Sequence, residues 1–152
     1  MSDCETAPAS AVRATGTGPD TCTAAVSPAR DPVTIDRYRG GDRDEWNAFV
    51  RRASGGTFFH LIGWKDVIEQ TFGFTSHYLL ARRAAEIVGV LPLFELRSLL
   101  SGRCLLSVPF AVEGGVCSVD AEARAALEQA ACALARDTKA RYLELQIGRA
   151  HV

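Results

Sequence analysis

Three small groups of residues in this 152-residue chain have types and spacings that suit chemistry. His60 and Trp64 stand four residues apart where a helical pattern begins, so they share one side of its first turn. There they can line an acceptor cleft, with His60 as a proton shuttle, or serve as a capping histidine beside a core tryptophan. Glu95 and Arg97 alternate onto one face at the end of a strand. Such a pair grips a carboxylate or phosphate, or is an ordinary surface ion pair. Gly114 and Gly115 follow a strand and precede a helix. Backbone N–H groups there can hold a phosphate, although a φ > 0 turn is the commoner use of glycine. Glu144, on the last strand, is a base only if it faces a cleft, and His77 reads as structural. No Ser/His/Asp set and no carboxylate dyad stands out, so the catalytic residues are left unassigned. No His or Cys has ligand spacing, so no metal is expected.

Composition narrows the classes further. Seventeen Lys/Arg against eighteen Asp/Glu give a net charge of −1, without the basic stripe of a DNA binder. Arg51-Arg52 and Arg82-Arg83 are pairs rather than patches. The five cysteines form no C-x-x-C pair, are odd in number and follow no secretory signal, which implies free thiols in a reducing cytoplasm. Cys104, Cys117 and Cys132 have apolar neighbours and read as small packing residues. The longest apolar run, Ile87 to Phe94, contains Gly89 and Pro92 and falls far short of the about 20 residues of a membrane span.

The elements that must position these residues follow from periodicity. Residues 1–31 are Ala-, Ser-, Thr-, Gly- and Pro-rich and read as a disordered tail. Val33 and Ile35 mark a short strand. Asp42 and Glu45 have capping-box spacing before an apolar stripe of Trp46, Phe49, Val50 and Ala53. A second helix spans 61–71, with Leu61, Trp64, Ile68 and Phe72 on one face, Val67 beside them, and Gly73 at its end. Three strands follow at 77–83, 87–97 and 103–108. Pro92 cannot donate to a ladder, which predicts a bulge or splay inside the second. Asp120 caps a third helix over 121–137, with Ala123, Leu127, Ala130 and Leu134 as its stripe, and 141–145 is a last strand. The order β-α-α-β-β-β-α-β predicts an α/β (α+β) architecture, a mixed sheet with helices on both faces.

That order matches the first two-thirds of a GNAT-type acyltransferase domain. The stretches TFFH (57–60) with Trp64, FGF (72–74), YLLA (78–81), IVGVLPLFELRS (87–98), SVPF (107–110), Gly114-Gly115 and YLEL (142–145) resemble FemAB-related proteins over about residues 33–146. They most resemble those associated with PEP-CTERM sorting and exopolysaccharide loci. The resemblance implies two tandem GNAT-like domains, of which 32–146 would be the first, truncated. It implies transfer of an acyl or aminoacyl group to an amine of a cell-envelope or polysaccharide-related acceptor. The acyl donor, aminoacyl-tRNA or acyl-CoA, would engage the full-length protein; none is expected to bind this fragment, which alone would be inactive. His60, Trp64, Glu95, Arg97, Gly114 and Gly115 would be substrate-binding. Residues 147–152, IGRAHV, resemble a translated sequencing adapter and are read as non-native, the alternative being a natural C-terminus. SVPFAVEGGVCSVD keeps a glycine pair but lacks the basic residue and glycine spacing of an acetyl-CoA pyrophosphate loop. An acetyl-CoA-dependent N-acetyltransferase and a non-catalytic acceptor-docking domain are the alternative functions. Coding sequence continuing past residue 146 into a second such domain would separate them.

Overall fold

The computed structural model describes residues 30–98 and 102–146. The readings of the tail, apart from its last two residues, and of 147–152 lie outside that range. The chain runs through β1 (Val33–Arg37), α1 (Arg43–Arg52), α2 (Ile62–Phe72), β2 (Thr75–Ser76), β3 (Leu79–Arg83), β4 (Glu86–Leu91), β5 (Phe94–Ser98), β6 (Gly102–Leu106), β7 (Cys117–Ser118), α3 (Ala121–Asp137) and β8 (Tyr142–Glu144). Single 3-10 turns, Gly40–Asp42 and Phe58–His60, precede α1 and α2.

The strands form two four-stranded sheets, β1-β3-β4-β7 and β2-β5-β6-β8, rather than the single sheet expected. Pro92 is the reason. It offers no N–H to a ladder, so the strand expected at 87–97 breaks into β4 and β5, which carry it from one sheet into the other. The strand expected at 77–83 is observed as β3, and the two-residue β2 before it, paired with β5, was not anticipated. The two sheets stay joined where the His77 N–H donates to the Leu93 carbonyl at 2.7 Å. β6 and β8 pair in parallel, Cys104 opposite Tyr142 and Leu106 opposite Glu144. A two-residue strand, β7, was not anticipated; it places Cys117 opposite Val90 at the edge of the first sheet.

Apolar residues divide between the two faces. Trp46, Phe49, Val50, Ile62 and Ile68 from α1 and α2 pack on Tyr78, Leu80, Ile87, Val90 and Phe94. Ala123, Leu127, Ala131 and Leu134 of α3 pack on Leu79, Ala81, Val88, Leu91 and Leu105. Alanines let α3 approach closely, and Gly89 of β4 meets it: a Cβ there would lie 2.9 Å from Leu127 Cδ1.

Several local expectations shift for tertiary reasons. Asp42 does not cap α1 through its side chain. One of its carboxylate oxygens accepts from the Arg39 N–H and the other pairs with Arg82, which also takes Glu45 at 2.7 Å. α2 starts at Ile62, whose N–H is satisfied by Asn47 Oδ1 of α1 at 3.1 Å. Its buried face is carried by Ile62 and Ile68, while Val67 and Phe72 are each 48% exposed. Gly73 closes α2 at φ 66°, as its position predicts. Cys132 is exposed; Cys104 and Cys117 are buried, and burial pushes the Cys117 thiol up to about 11. Arg82 and Arg83 point to opposite faces of β3. Arg82 holds Glu45 of α1, and Arg83 holds Asp120 at 2.8 Å and Glu122 at 2.6 Å beside α3.

Candidate functional site

A slot opens beside the end of β6. Among the described residues the last bonds from this end of β6 to the β8 segment are Ser107 N–H to the Glu144 carbonyl, at 2.9 Å, and Gln146 N–H to Ser107 Oγ, at 2.7 Å. The serine hydroxyl therefore stands in for a backbone carbonyl. Beyond it the chain turns away to reach β7. Val108 takes φ 54° and Phe110 φ 65°, both in the left-handed region that a β-branched or aromatic residue seldom enters. Pro109 between them has no N–H, and that of Val108 makes no hydrogen bond among the described residues. The resulting slot holds about 180 Å³. Leu96, Leu106, Pro109 and Phe110 give it an apolar wall, and Glu144 and Gln146 a polar one. Gln146 Oε1 is buried and has no hydrogen-bond partner among the described residues.

His60 and the glycine pair meet behind this slot. His60 Nδ1 accepts from the Thr57 N–H at 3.2 Å and faces the Thr57 hydroxyl at 2.8 Å. Its Nε2 therefore carries the proton and donates to the Gly115 carbonyl at 3.0 Å. Burial lowers the His60 pKa, against the opposing pull of the Gly115 carbonyl and Glu113. Gly114 sits against Val108, since a Cβ at residue 114 would lie 2.6 Å from the valine Cβ. Two candidates 55 residues apart thus become one buttress for the strained turn. Trp64 packs edge-on to Phe58 and Phe59, with ring centroids at 5.8 and 5.3 Å, and its buried Nε1 has no partner among the described residues.

Glu95 and Arg97 lie on the other face of β5 from Leu96, away from the slot wall. Glu95 is not solvent-facing as the alternation suggested; it is 4% exposed. Arg97 at 2.7 Å, His77 at 3.0 Å and Arg103 at 3.5 Å surround its carboxylate. Burial alone would raise its pKa, but the bonds from His77 and Arg97 outweigh it and hold the group below the usual range. Arg97 and Arg103 are directly opposed across the β5–β6 ladder, and Glu95, in contact with both, reduces the repulsion between them.

The start of α3 is acidic and already satisfied. Asp120 Oδ1 accepts from the Ala123 N–H at 2.9 Å, and the Arg83 guanidinium holds the carboxyl well below its usual range. Glu122 adds a second negative charge in the first turn. A pyrophosphate does not fit here, because these carboxylates occupy and repel the position it would take.

No family model matches the sequence, and no curated protein matches it. Solved structures do. The ribosomal-protein-alanine N-acetyltransferase from Brucella melitensis biovar Abortus 2308 superposes with a TM-score of 0.54 at 16% identity, over 78% of this chain and 82% of that one. FemX superposes with a TM-score of 0.55 at 22% identity, over 70% of this chain but 25% of its own. A GNAT family acetyltransferase of Staphylococcus aureus subsp. aureus USA300_TCH1516 gives 0.50 at 10% identity, over 80% and 92%. The fold is GNAT-like. At these identities the likeness establishes architecture; the chain spans a quarter of the FemX chain. β5, β6, the turn at Val108 and β8 shape the slot. Sequence reasoning singled out Glu144 conditionally and missed Ser107, Val108 and Gln146. The SVPF stretch was visible, but the positive φ values that open the slot were not.

Proposed function

We propose that the chain is part of an acyl-group transferase that delivers an activated acyl group to an amine. The observation that carries this is the slot between the diverging parallel strands β6 and β8. An extended acyl chain fits between its apolar wall and its polar wall. The Val108 N–H, turned out of the ladder, is a donor for the oxyanion that forms at the acyl carbonyl. Glu144, on the polar wall, is the base. The acceptor nitrogen attacks the carbonyl carbon, the C–N bond forms, and the C–O or C–S bond to the donor breaks as the oxyanion collapses. Glu144 takes the proton released by the nitrogen. Positioning does most of the work, with no covalent enzyme intermediate.

The GNAT and FemX neighbours support an acyl donor and an amine acceptor in general. The finer reading, an amine on a cell-envelope or polysaccharide-related acceptor, rests on the FemAB resemblance. The acidic, pre-capped start of α3 favours a donor whose phosphates are seated elsewhere, such as aminoacyl-tRNA, over acetyl-CoA.

Transfer assays on the full-length protein test this directly, with acetyl-CoA and aminoacyl-tRNA as donors and glucosamine and a dipeptide amine as acceptors. Transfer from aminoacyl-tRNA is expected, and Glu144→Gln should slow it by about 10²-fold or more. Neither transfer nor saturable binding with either donor would overturn the proposal, as would a Glu144→Gln variant of full activity.

A further inference from the structure

Phe110 forms part of the apolar wall of the slot and is nevertheless 66% exposed, so its ring stands at the rim. It is not alone there. Phe110 stacks on Phe72, the last residue of α2, with ring centroids 4.8 Å apart and planes 30° from parallel. Phe72 stacks in turn on Phe74, at 5.5 Å and 21°. Gly73, at φ 66°, makes the turn that lets those two rings meet. Phe74 packs against the core beneath α1 and α2 and anchors the stack, while Phe72 is half-exposed. Three phenylalanines thus lead from the core to the mouth of the slot. Contiguous apolar surface left open to water is characteristic of binding sites.

The chemistry of acyl transfer says which part of a substrate reaches this place. The acyl group lies in the slot with its carbonyl oxygen toward the Val108 N–H, and the inference drawn here rests on that reading. Two groups then project at the mouth, the acceptor nitrogen and the leaving group. Glu144 draws the nitrogen to the polar wall, so the leaving group falls to the apolar wall, where Phe110 stands. An aminoacyl ester of a terminal nucleoside carries its base one ribose away from the ester oxygen. In acetyl-CoA the whole pantetheine arm and a pyrophosphate separate the base from the thioester. A sugar ring needs hydrogen bonds about its rim, which phenylalanine side chains do not supply. A nucleobase stacks on a bare aromatic face.

We infer that the Phe110–Phe72 stack is the platform for the terminal nucleobase of the acyl donor, and that Phe110 is a specificity-determining residue for a nucleoside ester.

Calorimetric binding to the full-length protein tests this. The probe is adenosine carrying alanine on its ribose through a non-hydrolysable amide, and the comparator is the same molecule without its base. The base should tighten binding by about tenfold or more. Phe110→Leu, an exposed substitution, should remove that gain, leave the affinity for the baseless comparator unchanged and preserve the circular dichroism spectrum. Phe110→Tyr should keep the gain. The platform is overturned if the base adds nothing, or if Phe110→Leu binds the adenosine probe as tightly as the parent chain. It is also overturned if Phe110→Leu instead dissociates a dimer, since a second copy would then cover the rings. Loss of the gain in Phe110→Leu, with no transfer from any donor by the parent chain, would keep the platform and remove the transferase reading. Transfer by the parent chain, with unchanged probe affinity in Phe110→Leu, would do the reverse.

Discussion

Val108 is held at φ 54° by its neighbours. A β-branched residue in that region costs on the order of 1–3 kcal/mol, so the surroundings must enforce it. Gly114 leaves no room for Val108 to move back, and the His60–Gly115 bond pins the glycine pair. His60 therefore ties the stability of the turn to pH. Burial lowers its folded-state pKa below the ordinary value of 6.5. The unfolded chain takes up a proton as pH falls through that value while the folded chain resists, so stability present above it is lost below it. Glu95 and Asp120 are lowered from 4.5 and 3.8, so the stability they contribute is lost only at more acid pH. The urea midpoint should accordingly fall in two stages on acidification. His60→Gln should abolish the first stage and keep the second; a first stage that survives in the variant would contradict this assignment. The types of His60 and Gly114-Gly115 marked them out in sequence. Their meeting, 55 residues apart, depends on how the chain returns to β7 and could not be read there.

At the scale of elements, α3 was the most legible part of the chain. Its Asp120 cap and 121–137 span are local signals and are observed, as are Ala123, Leu127 and Leu134 of its stripe; Ala131 is buried where Ala130 was expected, and Ala130 is partly buried. Its depth against the sheet is a tertiary matter, set by Gly89. A methyl group at residue 89 would sit 2.9 Å from Leu127 Cδ1 and 3.2 Å from Ser118 Cβ. Gly89→Ala should therefore destabilise the fold by about 1–3 kcal/mol, read from urea unfolding. Leu127→Ala alone should cost about 2–5 kcal/mol, because Leu127 is fully buried. The double variant should lose less than the sum of the two, since the second change relieves the clash made by the first. Strict additivity would show that Gly89 does not set the helix depth. Pro92 was equally legible as a break. That the break passes the strand into a second sheet was not, because a missing N–H says where a ladder fails and not what pairs beyond it.

Across the whole molecule, packing is uneven. β4 lies inside its sheet, between β3 and β7, with α1 and α3 against its two faces. Among the described residues β8 is an edge strand, joined to β6 by a three-residue register. Native-state amide exchange should protect β4 most, and β8 less by at least about tenfold. Equal protection would mean that a further element covers β8.

What the sequence alone determined was the kind and order of the longer elements, the Asp120 and Gly73 helix ends, the Pro92 break and the α/β class. Each rests on periodicity or on a backbone property acting within a few residues. Only the tertiary structure decided that Glu95 is buried among His77, Arg97 and Arg103, and that His60 braces the glycine pair. It alone decided that the strands divide into two sheets, and that a slot opens at Val108. These features depend on strand register and on contacts between residues far apart in the chain, for which alternation and spacing carry no signal.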